Sequence, residues 1–264
     1  MKFTFGTNWK MRNLGRDEAR EYVRVVAASL PRLANTRIFI LPPVTLIRDM
    51  ALEAAENRIL IGAQNFHWAP EGEFTGEIST ALLKQEGAAI VMVGHAERRS
   101  LFGESDQVIN RKLKRALADG LQVVLCVGDS EPDLAAAKLQ ETFFRQIGIA
   151  LDGVAPDASG KLIVAYEPVW AIGEAAKGAP SGEQVTSCVD LIRRALQRAF
   201  GGAADEIPVL YGGSVGPGNC RQFVAGTGVN GLFVGRSARD PHRFVLLIQE
   251  ALSVMEKKTP NAPP

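Results

Sequence analysis

Five polar side chains follow directly on short apolar runs: Asn8 and Lys10, His95 and Glu97, and Glu167. A carboxylate, an imidazole and an ammonium are groups from which a base, a hydrogen-bond donor and a fixed positive charge can be built. Glycine-containing turns follow other apolar runs, as Gly212-Gly213-Ser214 and Gly235-Arg236, and Gly173 lies downstream of Glu167. Backbone N–H groups in such turns can approach an anion closely. Taken singly, each residue has a plainer reading. The Lys is a surface charge, the His a satisfied structural residue, and the glycines are turn residues. Chemistry requires that one scaffold bring them together.

The intervening pattern supplies that scaffold. Apolar runs rich in Val, Ile, Leu and Phe occur at residues 3–9, 37–41, 59–64, 90–93, 122–127, 162–166, 209–211 and 231–234. Continuous apolarity fits strands covered on both faces, as in a parallel sheet. Helical patterns alternate with them at residues 17–30, 44–55, 79–86, 105–118, 132–151, 182–200 and 241–255, with a weaker one at 218–224. Ser105 before Asp106 and Ser181 before Glu183 read as helix starts. Alternating strands and helices in about 250 residues favour a closed (β/α)8 TIM barrel over an open sheet. One barrel domain is expected over residues 1–258, with a frayed, proline-containing tail at 259–264. Barrel enzymes place their chemistry at the C-terminal strand ends, where all the polar residues named above would meet.

Composition narrows the function classes. Thirty Lys plus Arg balance 29 Asp plus Glu, for a net charge of +1. That balance argues for neither a nucleic-acid nor a membrane surface. Cys126, Cys188 and Cys220 are odd in number and widely spaced. They suggest no disulfide framework and fit a reducing compartment. The N-terminal segment lacks the apolar core of a signal peptide, and no run is long enough to span a bilayer. A soluble cytoplasmic protein is expected. His67, His95 and His242 fall in separate segments. No His/Cys cluster has metal-ligand spacing, so neither a metal nor an organic cofactor is expected.

The motifs resemble those of the triosephosphate isomerase family. The resemblance rests on Asn8-Trp9-Lys10-Met11, Gly62-Ala63-Gln64-Asn65, Phe74-Thr75-Gly76-Glu77-Ile78-Ser79, Gly94-His95-Ala96-Glu97-Arg98-Arg99, Phe102-Gly103-Glu104, Ala165-Tyr166-Glu167-Pro168-Val169-Trp170-Ala171-Ile172-Gly173 and Tyr211-Gly212-Gly213-Ser214-Val215. They run in the family's order from about residue 5 to about residue 255.

The resemblance implies an aldose–ketose isomerase working on a small phosphorylated sugar through an enediolate. Glu167 would be the base and His95 a neutral electrophile at a helix start, an arrangement for which triosephosphate isomerase is itself the standard example. Lys10 would stabilise the enediolate, and Asn8 would hydrogen-bond the substrate oxygen. Glu97 would pair with Lys10, as a structural bridge or as a proton relay. Gly173, Gly213, Ser214, Gly235 and Arg236 would hold the phosphate. Residues 168–181 resemble a mobile lid. Gln64, Asn65 and the segment from Phe74 to Ser79 resemble a loop that inserts into a second subunit, implying a homodimer. Glu77 with Arg98 resembles a structural ion pair.

Several residues depart from the family pattern. Arg236 stands where a second glycine is usual, and Arg12 where Asn is common. Thr7 replaces a common Gly, and Gly128-Asp129-Ser130 replaces the usual Gly-Glu-Thr. The lid reads Gly173-Glu174-Ala175-Ala176-Lys177-Gly178-Ala179-Pro180, with extra residues. Gly-Arg-Ser-Ala after the last strand, Ile-Gly-Glu in the lid and Pro217-Gly218-Asn219-Cys220 are similar to a branch that isomerises erythrulose phosphates. Triose phosphate is the first expectation and tetrulose phosphate the alternative. A Schiff-base aldolase would need a lysine within a central strand, and the runs after residue 37 contain none except Lys161 at a strand start. A non-catalytic scaffold would not need Asn8, Lys10, His95 and Glu167 together.

Overall fold

The structure, a computed structural model, describes residues 3–30, 33, 36–131, 135–172 and 178–255. Eight parallel strands close in sequence order into a barrel. They are β1 (Phe3–Asn8), β2 (Thr36–Leu41), β3 (Ile59–Ala63), β4 (Ile90–Val93), β5 (Gln122–Val127), β6 (Leu162–Tyr166), β7 (Val209–Tyr211) and β8 (Gly231–Val234). Closure is made by β1 against β8, with Thr4 opposite Gly231 and Thr7 opposite Val234. Each strand lies where its apolar run predicts it, to within a residue.

The continuous apolarity has a simple geometric cause. Successive side chains of a strand point to opposite faces, and here both faces are buried. On β5, Val124 and Cys126 face the barrel interior, while Val123, Leu125 and Val127 face the helical layer. On β6, Ile163 and Ala165 point inward, and Leu162, Val164 and Tyr166 outward. Phe39 and Phe233 stack inside the barrel with centroids 5.6 Å apart. Gly6 leaves room for them, since a Cβ there would lie 1.9 Å from the Phe39 ring.

Nine α-helices appear among the described residues: α1 (Arg16–Ser29), α2 (Ile47–Ala54), α3 (Thr80–Gln85), α4 (Ala96–Phe102), α5 (Asp106–Ala118), α6 (Ala136–Ala150), α7 (Gly182–Phe200), α8 (Cys220–Val224) and α9 (Pro241–Met255). The expected helix starts are real. The Ser105 hydroxyl accepts from Val108 N–H. Ser181 accepts from Gln184 N–H, and the Gln184 side chain returns the bond to Ser181 N–H. In α7, Val185, Cys188, Val189, Ile192, Ala195 and Leu196 form the buried stripe of an amphipathic helix. No helix among the described residues is long and apolar enough to cross a membrane. Residues 132–134, the lid segment 173–177 and the tail 259–264 lie outside the described residues.

Candidate active site

A cavity of about 650 Å3 opens at the C-terminal end of the barrel. Asn8, Lys10, His95, Glu97, Glu167, Gly213, Ser214, Gly235 and Arg236 all line it. The parallel barrel thus collects on one rim residues that are up to 228 positions apart, Asn8 to Arg236 (236 − 8). Gly173 is the one expected site residue outside the described residues.

Glu167 follows β6 and is 3% exposed. Its Oε2 accepts from the backbone N–H of Ala96 at 2.9 Å, and its Oε1 lies 3.4 Å from His95 Nε2. The backbone at this point is tightly enclosed. Glu167 N–H donates to the Val127 carbonyl at 2.8 Å, and a Cβ on Gly128 would lie 1.9 Å from the Glu167 carbonyl oxygen. A Cβ on Gly212 would lie 3.2 Å from Glu167 Cγ. Behind the carboxylate sits Cys126, whose thiol is pushed up by complete burial first and by the Glu167 charge second.

His95 caps the N-terminus of α4. Its Nδ1 accepts from Glu97 N–H at 3.2 Å. A lone pair used in this way leaves the ring proton on Nε2, the nitrogen that faces Glu167. Gly94 makes the approach possible, with φ +74° and Cys126 O and the Arg99 side chain crowding the Cβ position.

Lys10 is the single non-glycine residue with positive φ among the described residues, at +55°. Such a conformation persists only where surroundings over-determine it. Asn8 Oδ1 accepts Lys10 N–H at 2.9 Å, and Gln64 Nε2 donates to the carbonyls of Lys10 and Leu41, each at 2.9 Å. The ammonium then reaches Glu97 Oε1 at 2.7 Å. Asn8 and Gln64 therefore hold the backbone that presents Lys10.

The hinge of the expected lid is anchored to Asp129. Its carboxylate accepts from Tyr166 O–H at 2.9 Å and Trp170 Nε1–H at 2.7 Å, and its carbonyl accepts from Val169 N–H at 2.9 Å. Burial raises the Asp129 carboxyl above the usual range, partly offset by the Tyr166 and Trp170 donors. Asp129 drew notice in the sequence only as a departure. Its place in the hinge follows from the adjacency of β5 and β6.

The segment expected to meet a second subunit carries apolar surface. The His67 ring packs between Trp68 and Phe74, with centroid distances of 4.0 and 4.2 Å. Phe74 is 43% exposed and Met11 99%. Asn65 accepts from the buried Lys112 ammonium, which also pairs with Glu104. The expected Glu77–Arg98 pair is not formed within the chain. Arg98 pairs with Glu104 at 2.8 Å, because the turn through Gly103 (φ +65°) after α4 brings that carboxylate back to it.

This geometry accompanies a clear relationship. The family model described as triosephosphate isomerase matches residues 3–251. A triosephosphate isomerase of Chloroflexus aurantiacus is 37% identical over 243 residues, covering 91% of this chain and 96% of that protein. An L-erythrulose-1-phosphate isomerase of Brucella melitensis is 36% identical over 239 residues, covering 90% and 91%. The crystal structure of triosephosphate isomerase from Bartonella henselae superposes with a TM-score of 0.83 at 30% identity, covering 95% of this chain and 99% of that one. A single closed barrel, a rim carrying Glu167, His95 and Lys10, and relatives matched over nearly their whole length give one answer: the chain belongs to the triosephosphate isomerase family.

Proposed function

We propose that the protein interconverts dihydroxyacetone phosphate and glyceraldehyde 3-phosphate by proton transfer through an enediolate. The observation that carries this reading is the meeting of Glu167, His95 and Lys10 in one cavity. Glu167 removes a proton from C1 of the ketose. The C–H electron pair becomes the C1–C2 double bond, and the carbonyl π pair moves onto O2. The Nε2–H of His95 and the Lys10 ammonium stabilise the charge on O2. His95 relays the hydroxyl proton from O1 to O2. Glu167 then returns its proton to C2, leaving an aldehyde at C1 with no net gain or loss of atoms or electrons. Asn8 supports Lys10 and bonds the substrate oxygen, and Glu97 holds the ammonium between turnovers.

The phosphate would rest against the backbone of Gly213, Ser214 and Gly235, with Arg236 beside it, and Gly173 is proposed as a further contact. Closure of residues 168–181 would exclude water and protect the enediolate from losing phosphate. A homodimer is proposed through the segment around Gln64, Asn65 and Phe74 to Ser79, since exposed Phe74 and Met11 need cover. Such an enzyme would serve glycolysis and gluconeogenesis in the cytoplasm.

Two observations favour a second reading, isomerisation of erythrulose phosphates. Arg236 lines the cavity beside Gly235, and the Brucella relative bears that activity's name. One extra carbon in a pocket is worth only about 1–3 kcal/mol, so cross-activity is expected either way. The test is kcat/KM for glyceraldehyde 3-phosphate and erythrulose 1-phosphate in one preparation. A preference of more than about tenfold for the four-carbon sugar would overturn the triose assignment, a ratio corresponding to about 1.4 kcal/mol.

A further inference from the structure

The turn after β8 is fastened from behind by two side chains outside the proposed chemistry. Residues Arg236–Ala238 form one turn of 3-10 helix, closed by Ala238 N–H to the Gly235 carbonyl at 3.1 Å and Arg239 N–H to the Arg236 carbonyl at 3.2 Å. Gly235, Arg236, Ser237 and Arg239 line the active-site cavity. The carbonyls of Ala238 and Arg239 are taken up by side chains that do not line that cavity. The Ala238 carbonyl accepts from the buried Tyr22 hydroxyl at 2.7 Å, and the Arg239 carbonyl accepts from Arg12 Nη1 at 2.7 Å. Tyr22 belongs to α1 and meets the Trp9 ring edge-on at 4.8 Å, next to Lys10 in sequence. Arg12 follows two residues after Lys10. The loop bearing the proposed ammonium and the loop bearing the proposed anion cradle are therefore bolted together at consecutive carbonyls.

We propose that Arg12 is a positioning residue for substrate phosphate. It holds the Arg239 carbonyl so that the turn beginning at Gly235 presents a preset face to the dianion. This rests on the reading of that rim as the phosphate end. A guanidinium donating to a carbonyl makes a charge-assisted bond, stronger than a neutral one. Placed on the trailing carbonyls of a turn, a cation also complements their negative end. Tyr22 makes the second bolt, and burial pushes its hydroxyl up, so it stays a donor across the working pH range. The shared walls fit the same arrangement, because Trp9 and Arg239 border both the active-site cavity and a second cavity that Arg12 and Tyr22 line.

The test uses the full chain and inorganic phosphate as the probe, titrated by calorimetry beside steady-state kinetics. Arg12→Ala is expected to weaken phosphate binding and raise KM by about fivefold to tenfold, part of what one charge-assisted hydrogen bond can supply. Its kcat should stay within about twofold, because Arg12 bonds the Arg239 carbonyl and none of the side chains proposed to act on the reacting carbons. Arg12→Lys, which keeps a charged donor, should recover part of the affinity. Tyr22→Phe should weaken phosphate in the same direction and serves if Arg12→Ala fails to fold. Unchanged phosphate affinity in the folded variants overturns the proposal. So does a fall in kcat with KM unchanged, which would place Arg12 behind Lys10 instead. A wild-type protein that binds phosphate yet turns over neither sugar would sink the proposed function and leave the calorimetric comparison to decide the role of Arg12.

Discussion

Glu167 and Ala96 are joined by a 2.9 Å hydrogen bond from the backbone N–H of Ala96 to Oε2 of Glu167. The donor is the first residue of α4, so the proposed base rests on the positive end of a helix dipole. Residue 96 has no hydroxyl to add a second bond. The other carboxylate oxygen is 3.4 Å from His95 Nε2, the donor proposed for the substrate carbonyl. To work as a base, the carboxylate has to exchange its rest on Ala96 for the substrate carbon.

Glu167→Asp is expected to lower kcat far more than it changes KM. Shortening the side chain withdraws the carboxylate by about 1 Å, and misplacement on that scale can lower the rate about 10²-fold. The proposed phosphate contacts lie elsewhere on the rim and should hold KM within a few-fold. Steady-state kinetics check this, and a KM rise with kcat preserved would make Glu167 a binding residue.

Gly212→Ala tests how finely the base is placed. The added Cβ would sit 3.1 Å from the Tyr166 carbonyl oxygen and 3.2 Å from Glu167 Cγ, tight but not prohibitive. The fold should survive with a loss of about 1 kcal/mol, at the mild end of overpacking. Turnover should fall about tenfold, since a shift of a few tenths of an ångström moves the carboxylate directly. Thermal unfolding and kcat read the two effects separately. Full activity in a correctly folded variant would mean that Glu167 has more freedom than its enclosure implies.

Asp129→Asn should reveal a pH-dependent contribution to stability. Burial raises the Asp129 carboxyl in the folded protein. Between the unfolded and folded pKa values the native state then binds more protons, so stability falls as pH rises through that window. The contribution is fully present below the unfolded value and is lost above the folded one. Asparagine does not titrate. The difference in Tm, wild type minus variant, should therefore be more favourable to wild type at mildly acid pH than at neutral pH. A difference that does not vary with pH would show that Asp129 titrates normally.

Exhaustive chelation followed by assay should leave turnover unchanged. The proton transfers proposed need only a carboxylate, an imidazole and an ammonium, and these groups share one cavity. Activity lost to a chelator and restored by a divalent cation would overturn that mechanism.

Local physics explains what could be read without the fold. Strands buried on both faces read as unbroken apolar runs, so residues 90–93 and 162–166 were placeable from composition alone. Ser105 and Ser181 marked helix starts because a hydroxyl satisfies N–H groups that the helix leaves unpaired. The resemblance singled out Lys10, His95 and Glu167 because the motifs around them are short and contiguous. Contacts made across the barrel carry no such local signal. Gln64 holds the Lys10 carbonyl because β1, β2 and β3 lie side by side. Asp129 holds Tyr166 and Trp170 because β5 pairs with β6, with Val127 opposite Tyr166. Arg12 reaches the Arg239 carbonyl because β8 returns to β1. The sequence by itself determined the eight strands, most of the helices, their order and the side chains proposed to react, since these depend on neighbours along the chain. Only the tertiary structure decided which residues hold those side chains in place, because parallel closure sets partners by strand adjacency and not by distance in sequence.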